Sequence, residues 1–159
     1  MNIVAPILDA PPLRRQSPPS MFRGVTPAAG ANFTQRVDDG LWWRLVTVFC
    51  RLTPSATVAS REVTIEYRDQ EASVFARFGA PVTVPASDTT DFYFSAYRQT
   101  SEWEVNSTVL TGIDPIILPP SYDFKIVVVN IDATDALTAI RFVVEKFYPD
   151  SADDYPPFR

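Results

Sequence analysis

From Leu41 to Tyr148 the chain is a succession of short runs that alternate apolar and polar residues, each cut off by turn formers. That two-residue rhythm leaves room for little except β-structure. In LWWRLVTVFCRL, Val46, Val48, Cys50 and Leu52 fall on one face and Leu45, Thr47 and Phe49 on the other, which predicts a buried central strand. REVTIEYR places Val63, Ile65 and Tyr67 inward and Glu62, Thr64 and Glu66 outward, the pattern of a sheet with one wet face. Phe92, Phe94 and Ala96 oppose Tyr93, Ser95 and Tyr97, and Ile140, Phe142 and Val144 oppose Arg141, Val143 and Glu145. SVFARF, PVTVP, EVNSTVL, PIIL and DFKIVVVNI supply further short strands. No run carries the caps and 3.6-residue period of a long helix. The spacing of one strand plus one turn predicts an all-β fold, an antiparallel β-sandwich of jelly-roll-like form.

The first 36 residues follow a different rule. Pro6, Pro11, Pro12, Pro18, Pro19 and Pro27 are six of the 15 prolines, with neither alternation nor a helical period around them. Proline fixes φ and pushes the preceding residue to extended conformations. Residues 1–36 are therefore expected to form an extended N-terminal arm, 37–148 the sandwich domain, and 149–159 an acidic, Pro-containing tail. The arm carries too many apolar residues for a solvated linker. Ile3, Ile7, Leu8, Leu13 and Phe22, together with Arg14, Arg15 and Arg23, are read as anchors that attach it to a partner. Fully extended, about 35 residues at roughly 3.3 Å each span on the order of 100 Å, enough to cross a neighbouring subunit.

Composition narrows the chemistry. At 159 residues the chain holds one domain. It contains no histidine, which removes the commonest acid–base side chain and the commonest transition-metal ligand together. Cys50 stands alone among apolar neighbours, so it is expected in the core and no intrachain disulfide is possible. With 14 Lys and Arg against 19 Asp and Glu, the net charge of −5 disfavours nucleic acid as a partner. No run of about 18 apolar residues points to a membrane span, and MNIVAPILDAPPLRR lacks the basic start of a signal peptide. No phosphate loop, nucleophile elbow or Cys pair occurs, so neither an enzyme nor a cofactor is expected. Asp132 and Asp135 in NIDATDALT could be imagined around calcium, but the stronger reading is that they bond their own turn. Glu102 and Glu104 lack the defined separation of a glycosidase pair, and Asp150, Asp153 and Asp154 are read as solvated.

Aromatic residues offer one further chemistry. Trp42, Trp43, Tyr93, Tyr97 and Trp103 could stack on sugar rings, although Trp42 and Trp43, being adjacent, face opposite ways on a strand. Trp103, flanked by Glu102 and Glu104 beside a turn, is the best candidate for glycan stacking.

The order of the tryptophan-bearing strand, the REVTIEYRD strand, Leu118-Pro119-Pro120, Asn130-Ile131-Asp132 and Val143-Val144-Glu145 resembles small virion proteins of tailed bacteriophages, over about Leu41 to Phe147. The resemblance implies a β-sandwich capsid decoration or auxiliary head protein, located on the virion surface after synthesis in the host cytoplasm. It implies the major capsid protein or other virion proteins as partners, and no enzyme site. A homo-oligomer is expected, and a trimer would suit capsid three-fold positions. A carbohydrate-binding virion module, or a head–tail connector, neck or tail component, is the alternative.

Overall fold

The computed structural model describes residues 13–15, 18–97, 103–105 and 107–149. Among these the chain is all strand and connection, arranged as two sheets over one apolar core. The strands are β1 (Leu13–Arg15), β2 (Ser20–Arg23), β3 (Phe33–Arg36), β4 (Trp42–Thr53), β5 (Arg61–Arg68) and β6 (Val74–Val84). They continue as β7 (Thr90–Ser95), β8 (Trp103–Val105), β9 (Thr108–Gly112), β10 (Ile117–Leu118), β11 (Asp123–Val129) and β12 (Ala136–Pro149).

One sheet has eight strands, in the order β1-β12-β4-β7-β9-β8, with β2 also on β12 and β10 also on β4. The other has four, in the order β3-β11-β5-β6. Pairing is antiparallel except between β7 and β9, which run parallel because β8 returns outside β9 rather than between them. The core is built from alternate residues of both sheets: Val48, Cys50, Leu52, Phe92, Phe94, Phe142 and Val144 face Val63, Ile65, Tyr67, Phe124 and Ile126. Cys50 is fully buried there, as its neighbours indicated.

Three expectations need correction. First, the boundary at residue 36 does not hold for 18–36, because β2 and β3 belong to the two sheets. Phe22 stacks on Trp43 and Phe142, with ring centroids 5.9 and 5.4 Å apart, so it completes the chain's own core rather than anchoring a partner. Leu13, Arg14 and Arg15 pair through their backbones with Phe147–Pro149 of β12. Ile3, Ile7 and Leu8 lie outside the described residues. Second, the two-residue alternation slips in β4. The register with β12 jumps between Thr47 and Leu45, so Trp43 and Leu45 join the core together with Val48, and Val46 turns out to be the extra residue of a bulge. Third, the back of β5 is wet only at Glu62: Thr64 and Glu66 are buried, and Glu66 accepts a 2.5 Å bond from Arg77.

The chain passes from one sheet to the other at Gly24. A β-carbon there would lie 2.6 Å from Ile140 and 2.8 Å from the Phe33 ring, so only glycine lets the backbone cross the core edge this closely.

Candidate binding face

Register determines what the outer face of the eight-stranded sheet presents. Arg23, Arg141, Phe49, Tyr93 and Leu110 lie abreast on β2, β12, β4, β7 and β9, and residues directly opposite one another share a face. The next row holds Met21, Val143, Thr47 and Ser95. Of these, Met21, Thr47, Phe49, Tyr93, Arg141 and Val143 line a shallow groove of about 450 Å³ together with the Arg51–Asp91 pair, and Arg23 stands beside it in the register of Arg141. Its floor is aromatic: Phe49 and Tyr93 meet at a centroid distance of 4.6 Å. Met21 is 71% exposed and Tyr93 38% exposed, so apolar surface stands open to solvent on both sides of the groove.

Two features shape this face. In β12 the register with β4 skips between Thr138 and Arg141, and Ala139 within the skip has φ 52°, a left-handed conformation that costs a side-chain-bearing residue on the order of 1 kcal/mol. The irregularity sits in the groove wall. Arg51 grips Asp91 with two bonds of 2.6 and 2.8 Å, which neutralises one end. Arg23 and Arg141 are exposed, and neither joins an ion pair among the described residues.

Further along the same face, Glu145 is buried against the Arg44 guanidinium and accepts a 3.3 Å bond from the Tyr97 hydroxyl, while Arg44 lies 5.4 Å over the Phe147 ring. Sequence alternation marks Glu145 as outward but carries no sign of its burial.

The other sequence candidates are distributed as follows. Trp43 is buried in the core, leaving Tyr93 and Tyr97 as exposed aromatic rings. The backbone of Trp103 pairs with Leu110, in the row that contains Tyr93, while its side chain lies outside the described residues, as does that of Glu104. Asp135 is occupied as a turn residue: it accepts bonds from Arg61 Nε and Nη2 at 2.8 and 2.9 Å and from the N–H groups of Ser55 and Asp132, both at 2.7 Å. Asp132 in turn accepts bonds from the Thr134 N–H and hydroxyl, which hold its carboxyl below the usual range. Among the described residues no group of three metal-ligating side chains occurs, and no helix is long and apolar enough to cross a membrane.

Phe49, Arg141 and Val143 were missed as surface candidates. Their signal was present in the alternation, since they are the odd members of runs whose other members face the core. No family model matches the chain, and no curated protein or solved structure matches it either.

Proposed function

We propose that this chain is a structural subunit of a bacteriophage virion, a decoration protein that binds and reinforces the head. The observation that carries this reading is the outer face of the eight-stranded sheet, where Met21 stands open beside the aromatic floor of Phe49 and Tyr93 without a covering element among the described residues. An open apolar strip rimmed by charge is what a protein-binding surface needs. The sequence resemblance from Leu41 to Phe147 supplies the virion context, and a jelly-roll-like path for the sandwich belongs to the same reading. Ile3, Ile7 and Leu8 remain the anchors toward the capsid protein. The deletion that tests them must stop at residue 12, because β2 and β3 belong to the fold.

The test is quantitative mass spectrometry of purified particles and of tail-less heads. Copies on the order of hundreds, present in heads without tails, are expected from binding to a symmetric shell. About a dozen copies, confined to particles with tails, would instead place the chain at the head–tail connection. A chain lacking residues 1–12 is expected to fold and to lose most of its affinity for heads.

A further inference from the structure

Two guanidinium groups stand side by side on this face without a counter-charge among the described residues. Arg23 and Arg141 are register partners on β2 and β12, both exposed, with no ion pair among the described residues. Like charges directly opposite on neighbouring strands repel, so an anion bound here would relieve the sheet as well as bind it. In the same row follow Phe49 and Tyr93. The ligand that satisfies the whole row is an extended segment with a carboxylate at one end and an aromatic ring a few residues on.

The chain contains such a segment. After Pro149 come Asp150, Asp153, Asp154, Tyr155 and Phe158. From Arg23 to Tyr93 the row crosses three strand spacings, about 14 Å. From Asp154 to Phe158, which share one side of an extended chain, four residues cover about 13 Å, a close match. A chain's own tail cannot make the contact. Arg141 lies eight residues back along β12 from Pro149, about 26 Å away, whereas Asp154 reaches at most about 17 Å beyond Pro149 before any reversal of direction is counted.

We propose that the 150–158 segment of a second copy lies across this groove, with Asp154 shared between Arg23 and Arg141 and Phe158, on the same side of the extended segment, against Phe49 and Tyr93. The contact is between copies and does not depend on the virion reading. It makes each subunit both donor and acceptor.

The test uses two full-length substitution variants and one trimmed chain, followed by sedimentation velocity and native mass spectrometry. Arg141→Glu gives Arg23 a partner within the sheet, so this acceptor-blocked chain is expected to melt no lower than wild type and yet to be monomeric. A chain lacking 150–159 keeps β12 to Pro149 and is also expected to be monomeric. Mixing the two should give a 1:1 complex, the intact tail of one in the intact groove of the other. Asp154→Lys in the donor should weaken that complex by about tenfold or more. A monomeric wild type, self-association that survives loss of 150–159, or a mixture that forms no complex would each overturn the proposal. So would a sulfated oligosaccharide that occupies Arg23 and Arg141 equally well with and without 150–159 while leaving self-association unchanged.

Discussion

Arg61 and Asp135 are both fully buried and tie the loop before β5 to the turn before β12. The guanidinium also reaches the carbonyls of Thr57 and Ala59 and the Ser55 hydroxyl, so every side of the pair is bonded. Removing one member leaves an isolated buried charge. Asp135→Ala or Arg61→Ala is therefore expected to cost about 3–5 kcal/mol in denaturant unfolding, whereas replacing both by Leu and Met should cost far less. Burial alone would raise the Asp135 carboxyl, but the Arg61 bonds and the N–H groups of Asp132 and Ser55 outweigh it and hold the group down at about 2. A carboxyl lower in the folded than in the unfolded chain stabilises above about pH 4 and loses that contribution as the pH falls toward 2, on the order of 2 kcal/mol in all. Acid titration of the unfolding midpoint checks this, and in Asp135→Asn that share of the acid dependence should be absent. Cys50 is governed by burial first and by the charge of Asp91 second, both of which push its thiol up. It is expected to resist thiol reagents in the folded chain and to react fully once unfolded.

Among the elements, β2 shows why the proline-rich start misleads. Proline count predicts extension, and β2 is extended, but extension alone does not tell an arm from an edge strand. What decides is Phe22, whose ring packs against both Trp43 and Phe142, a long-range contact invisible to local pattern. Phe22→Ala is expected to cost about 3 kcal/mol, and deletion of residues 1–36, which removes β2 and β3 together, should prevent cooperative unfolding altogether. Gly24→Ala should cost about 1–3 kcal/mol, since neither Phe33 nor Ile140 has room to yield in the core. Inward faces were legible wherever strict alternation runs, as for Val63, Ile65 and Tyr67 or Phe92 and Phe94. Bulges in β4 and β12 were not, because one inserted residue reverses every assignment beyond it and leaves no mark in composition. The groove became visible only through register, which sets Arg23 beside Arg141 and Phe49 beside Tyr93 from four separate stretches of sequence.

At the scale of the whole molecule the core carries the fold without covalent help, so the unfolding midpoint should be the same in reducing and oxidising buffer, as a melting curve in each would show. The arrangement also has a temporal side. β12 lies inside the eight-stranded sheet, pairing with β1 and β2 on one side and β4 on the other, yet it comes last among the described strands in chain order. While the ribosome is still adding residues before Ala136, β2 and β4 have no strand between them, and the aromatic side chains of Trp43 and Phe22 lack the Phe142 ring they close upon. Nascent chains halted before Ala136 should therefore be degraded by protease at every length, with protection arising in a single step once β12 has emerged. A chain halted there holds an unfinished sheet, with β4 open along the whole edge that β12 later closes.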